Sequence, residues 1–246
     1  MKIILTVCTL ILSGNTIAVQ FPADVTKCRK GDGECIVQSA NKMLREYPMG
    51  ESNINLLSLD PLEIPHIHIE KGTSSVVDVL LEFSNNTISG FRDFTFYKID
   101  GFNDTIDGKY EIQLKGPQIQ LMGPYSVKGS VLFVPIQGIG DSNITVLNPD
   151  FVVRFNGKSI TKNGETFLQP EDVEMSFTIS ELILNLDNLY GGSTTNSFLN
   201  RNWERVWSGI NESVFSSFSQ IAANILINVF STIPYDELFT KENESL

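Results

Sequence analysis

SFLNRNWERVWSGINESVFSSFSQIAANILINVFS, residues 197–231, is the stretch on which the reading of this chain turns. It holds no proline, and its apolar residues fall at Leu199, Trp203, Val206, Trp207, Ile210, Val214, Phe218, Ile221, Ala222, Ile225, Val229 and Phe230. Steps of three, four and one place them on one helical face. Thirty-five residues at ~1.5 Å each predict a helix of roughly 50 Å, far longer than the usual globular helix. Such a helix needs a partner of the same length. Residues 213–235 carry no charge, so length alone admits a membrane span. Against that, Ser213, Ser217, Gln220, Asn224, Asn228 and Ser231 form a polar stripe that lipid would leave unsatisfied. A coiled coil needs charged flanks, which are nearly missing after Glu212. The expectation is a helix wrapped by a curved antiparallel sheet, with no stable membrane insertion.

The chain upstream supplies that sheet. From about Ile64 to Leu186 the pattern is repeatedly β: Ile64, Ile67 and Ile69; Val77, Val79, Leu81 and Phe83; Phe94 and Phe96; Tyr110, Ile112 and Leu114; Val127, Val131 and Phe133. Two further strands are expected at 151–155 and at Val173, Met175, Phe177 and Ile179. Glycines punctuate the runs, and Asn156-Gly157 and Asn163-Gly164 read as hairpin turns. The result is a long antiparallel meander whose apolar face needs a cover. Before it, Ile36, Ala40, Met43, Leu44 and Tyr47 keep the helical period until Pro48 and Gly50.

Outward from this core, the N-terminus reads as an export signal: Lys2, an apolar run from Ile3 to Leu12 too short to span a bilayer, then the small residues Thr16 and Ala18. Residues 1–18 are therefore a signal peptide, and 19–246 a single secreted domain without an internal linker. Removing Lys2 from eighteen basic residues against twenty-nine acidic ones leaves a net charge of −12. That argues against nucleic acid and anionic lipid surfaces as partners, since both call for clustered Lys and Arg. Cys8 leaves with the signal; Cys28 and Cys35 remain in an oxidising compartment and read as one disulfide. Closing so short a loop is worth on the order of 2 kcal/mol. N-x-S/T sequons stand at Asn85, Asn103, Asn143, Asn211 and Asn243; the first three are the glycosylation candidates, because Asn211 falls within the long helix.

The N-terminal cysteine pair followed by a helix, Ser58-Leu59-Asp60-Pro61-Leu62, Gly123-Pro124-Tyr125 leading to Gly129, Pro135-Ile136, Gly138 and Gly140, and Phe198-Leu199-Asn200-Arg201-Asn202-Trp203 together resemble the insect takeout and juvenile-hormone-binding family over nearly the whole mature length. The resemblance implies an α+β fold: a long C-terminal helix wrapped by a highly curved antiparallel sheet, enclosing an elongated hydrophobic tunnel. It implies a secreted carrier of juvenile hormone or another lipophilic molecule, in haemolymph or other extracellular fluid. It also implies links to feeding, circadian output and chemosensory tissue. With only the N-terminal cysteine pair, the chain is nearer the takeout branch.

Catalytic chemistry has no foothold. No G-x-S-x-G or serine, histidine and carboxylate set stands in register. His66 and His68 share a strand face beside Glu70, but zinc takes three or four ligands and no further Cys or His is at hand, so they read as a solvated face. Neither enzyme activity, cofactor nor metal is expected. The expected ligand-binding residues are Val79, Leu81, Phe94, Phe96, Tyr110, Ile112, Tyr125, Phe133, Phe177, Trp203, Val206, Trp207, Ile210, Val214 and Phe218, with Tyr110 and Tyr125 as polar contacts. The competing expectation is a secreted interaction protein with a solid core; the carrier is expected to be monomeric.

Overall fold

The structure, a computed structural model, describes residues 21–70 and 76–240. The export signal and Asn243 lie outside them. After α1 (Gly33–Glu46) come β1 (Leu62–Ile69), β2 (Val77–Ser89), β3 (Thr95–Asp100), β4 (Gly108–Lys115), β5 (Gln118–Val131), β6 (Val134–Leu147), β7 (Asp150–Lys162), β8 (Glu165–Thr178) and β9 (Glu181–Leu186). Two helices, α2 (Gly192–Arg201) and α3 (Trp203–Phe230), close the fold.

The strands form two antiparallel sheets rather than one meander, in the orders β1-β2-β5-β6-β9 and β3-β4-β7-β8. The chain passes between them at Gly90, Gly116-Pro117, Asn148-Pro149 and Ile179-Ser180. These crossings lie side by side: Gly116 N–H donates to Pro149 O, Asn148 N–H to Pro117 O, and Ser180 N–H to Leu147 O. Long strands thus bend at a common corner, which gives the sheet its curvature. Proline suits the corner because no ladder donor is needed there. At Gly116 a Cβ would lie 2.2 Å from the Phe94 ring, so the corner can close only around glycine.

Three sequence expectations change. The long helix breaks at Asn202, whose side-chain amide donates to Phe198 O and competes with the backbone ladder. Asn156-Gly157 is not a turn but lies inside β7 at a register shift, where Gly157 passes under the Tyr110 ring. The run ending at Phe133 stops at Val131; Leu132 and Phe133, with φ of 49° and 68°, make the β5–β6 hairpin turn. Asn163 and Gly164, at φ of 54° and 86°, do turn β7 into β8.

An open curved sheet has edges, and each one is met by short polar side chains on a helix. On β3, Asn41 of α1 accepts from Phe96 N–H and donates to Phe96 O, each at 2.8 Å. On β9, Asn196 and Asn200 of α2 bond both backbone groups of Leu186 and Leu184. On β8, Met175 N–H donates to Ser219 of α3 at 2.8 Å. On β1, Ser217 of α3 donates to His68 O, and the backbone N–H of Glu70, just past the strand, donates to Ser213. Helix α3 therefore bridges the mouth of the wrapped sheet. Part of its polar stripe completes strand ladders, and that is the role of Ser213 and Ser217. The helix is long and apolar enough to cross a membrane by composition; here its apolar side faces the two sheets.

Candidate ligand cavities

The apolar interior is divided along α3. Trp207, Ile210, Val214 and Phe218 face one cavity of about 80 Å³, whose other wall is the inner face of the five-stranded sheet, including Leu81, Phe83, Ile88, Leu121 and Ile144. One turn beyond Ile221, residues Ile225, Leu226, Val229 and Phe230 face a larger cavity of about 280 Å³. The larger cavity is roofed by α1 through Ile36, Ala40 and Met43, floored by Phe96, Ile99 and Ile112 of β3 and β4, and ended by Leu238 and Phe239. Apart from Thr26 and Ser39, every side chain on its wall is apolar. A cavity so lined favours an uncharged hydrophobic guest, at ~25 cal/mol per Å² of apolar surface removed from water.

The expected site residues separate accordingly. Leu81, Phe177, Trp207, Ile210, Val214 and Phe218 line the smaller cavity, and Phe96 and Ile112 the larger. Val79, Phe94 and Val206 are buried in the core next to the smaller cavity, and Trp203 is half-buried against that core. Phe94 packs on Phe91 and Phe151 with ring centroids 5.3 and 5.6 Å away. Phe133 is 87% exposed on its hairpin and touches neither cavity. Tyr110 and Tyr125 are buried, but their hydroxyls donate to Ile106 O at 2.8 Å and Asp187 O at 2.7 Å. Burial pushes both hydroxyls up from the ordinary tyrosine range, keeping them neutral donors. They lock the fold and do not present a polar contact to a guest.

Two features escaped the strand and helix periods. One is the part of the larger cavity's wall that comes from α1 and from Leu226, Leu238 and Phe239. The regular apolar period of α1 was the available signal, but it read only as packing. The second is Asn86, which is 1% exposed; neither amide atom has a partner among the described residues. It sits inside the register shift between Phe83 and Thr87 of β2, near the smaller cavity without lining it, and packs on Gly123, where a Cβ would come within 2.9 Å. As the middle of the sequon Asn85-Asn86-Thr87 it reads as surface.

Cys28 and Cys35 are disulfide-bonded with Cα atoms 5.7 Å apart. The bond ties the segment before α1 to its first turn, and Cys28 O accepts from Thr240 N–H at 2.9 Å, so the segments around Cys28 and Thr240 meet beside the larger cavity. Among the sequons, Asn85 is exposed at φ 56°, Asn103 is exposed between β3 and β4, and Asn143 is half-buried and accepts from Gln120 at 2.7 Å. Asn211 is half-buried on α3.

The model of the haemolymph juvenile hormone binding protein family matches residues 4–240. The circadian clock-controlled protein daywake of Drosophila melanogaster is 25% identical over 236 residues, covering 90% of this chain and 89% of that protein. Its Drosophila yakuba counterpart is 22% identical over 232 residues with the same coverage. Among solved structures, Takeout 1 of Epiphyas postvittana superposes with a TM-score of 0.75 at 16% identity, over 87% of this chain and 99% of that one. At that identity the likeness concerns the fold.

Proposed function

The chain belongs to the haemolymph juvenile hormone binding protein family, and from that premise we propose that it is a secreted, monomeric carrier whose residues 19–246 work as one domain holding a small lipophilic ligand. The carrying observation is the 280 Å³ apolar cavity between α1 and the end of α3. Its volume stands near the lower end of small-molecule sites, of the order of 300–1,000 Å³. Its walls offer shape and apolar burial but no charge, which suits juvenile hormone, another terpenoid or a long-chain fatty compound. The reading is of a binding protein, without catalysis. Glycans at Asn85 and Asn103 suit this role, because both asparagines are exposed and away from either cavity wall. Asn143 is the third candidate. The clock-controlled relatives favour a physiological role tied to daily rhythm.

Native mass spectrometry tests the proposal. Signal-free protein, incubated with juvenile hormone and a panel of isoprenoids and long-chain acids, should retain one of them stoichiometrically. Retention of none, together with no apolar cargo on solvent extraction of secreted protein, would leave an interaction protein with a solid core as the better reading.

A further inference from the structure

The chain's only two histidines, His66 and His68, stand two apart on β1 and face outward, away from both cavities. Alternation along a strand puts both imidazoles on one face, and here the ring centroids are 6.4 Å apart with planes 21° from parallel. The third member comes from the neighbouring strand: Glu82 of β2 pairs directly with His68 across the ladder. One nitrogen of each histidine and one Glu82 oxygen lie within 4.8 Å of one another. Zinc bound at about 2.0–2.1 Å to each donor needs donors roughly 3.3–3.5 Å apart, so the side chains must draw together on binding.

We propose that His66, His68 and Glu82 form a surface site for a divalent transition-metal ion of the zinc type. The ring of His68 is already divided between two carboxylates in the required way. Nε2 is 2.8 Å from Glu70 Oε1, and Nδ1 is 3.4 Å from Glu82 Oε1. Glu70 accepts Nε2–H and orients the ring, leaving Nδ1 for the metal beside Glu82; a ligating histidine commonly holds such an outer carboxylate. The other Glu82 oxygen accepts from Ser126 at 3.4 Å. Beneath the side chains the backbone is fixed by α3, through Ser217 on His68 O and Ser213 on Glu70 N–H. Two imidazoles and a carboxylate suit zinc, copper or nickel over calcium or magnesium, which take oxygen ligands. Three protein ligands leave a fourth position open to solvent. The bound ion would join β1 to β2 beside the line where α3 meets the sheet.

The competing account is that protonated His68 simply pairs with Glu70 and Glu82. Untagged, chelator-stripped protein titrated with Zn²⁺ in a calorimeter separates the two. One saturable equivalent is expected, with both histidine ring signals shifting together in the NMR spectrum and the melting temperature rising. His66→Ala, His68→Ala and Glu82→Gln should each abolish saturation at the concentrations that fill the unaltered protein, whereas Glu70→Gln should weaken binding by ~10–100-fold. All four residues sit at the surface, and metal-free melts of the variants report on folding. Absence of a saturable equivalent, or one that survives in the His66→Ala/His68→Ala double variant, overturns the site. Neither outcome depends on what occupies the cavities.

Discussion

At the residue scale, the decisive side chains are small polar groups whose partners lie far away in sequence. His68 was legible as half of a pair; the Glu82 that faces it was not, because it belongs to the next strand. In the metal-free protein the hydrogen bond to Glu70, then the charges of Glu70 and Glu82, hold the His68 imidazolium above its ordinary value of 6.5. A histidine raised on folding contributes stability that is complete below the unfolded value and fades as pH rises through the folded one. Ring-proton NMR should show His68 titrating above 6.5, and Glu70→Gln should bring it down. Asn86 gives a second prediction. Its amide is buried without a partner among the described residues and lines neither cavity, so Asn86→Leu should leave cargo retention unchanged and should not lower stability in urea unfolding. The sequon at Asn85 is untouched by that change. A clear loss of stability in that variant would show that the amide has a partner on which the fold depends.

At the element scale, the helices do more than cover apolar surface. Asn41, Asn196, Asn200, Ser213, Ser217 and Ser219 stand in for the strands that each sheet edge lacks. The sequence displayed Ser213 and Ser217, though not Ser219, in a polar stripe, enough to argue against lipid, yet their partners needed the sheet to be in place. The Asn196→Leu/Asn200→Leu variant should orphan backbone groups of Leu184 and Leu186. A loss of about 1–3 kcal/mol per unsatisfied buried group is expected in urea unfolding, with faster hydrogen exchange at those two amides and at no distant strand. Unchanged exchange on β9 would show that the asparagines are dispensable as edge caps. The break at Asn202 belongs to the same scale. Periodicity runs straight through it, because a side chain bonding back to Phe198 O leaves the spacing of apolar residues unaltered.

At the scale of the whole molecule, the wrapped sheet and α3 leave space in two places, and the larger lies where α1, the end of α3 and the segments around Cys28 and Phe239 converge. Leu226→Trp should fill that cavity and abolish cargo retention while the protein keeps its circular dichroism spectrum. Retention of cargo by this variant would move the proposed site to the smaller cavity, where Val214→Trp is the corresponding test. What the sequence determined by itself was most of the strands though not β6 or β9, the long apolar helix though not its break, the need for a covering sheet, the cysteine pair and the family resemblance. Each of these is written in local spacing or in short motifs that survive reading in one dimension. Tertiary structure decided the corner that turns one meander into two sheets, the edge partners of the asparagines and serines, and the third side chain beside the histidines. It also decided which apolar residues line space and which are core. The same 3.6- and 2-residue periods describe Phe94, packed on its neighbours, and Phe218, facing a cavity. Period reports the direction of a side chain, whereas a cavity depends on how far the opposing wall stands away.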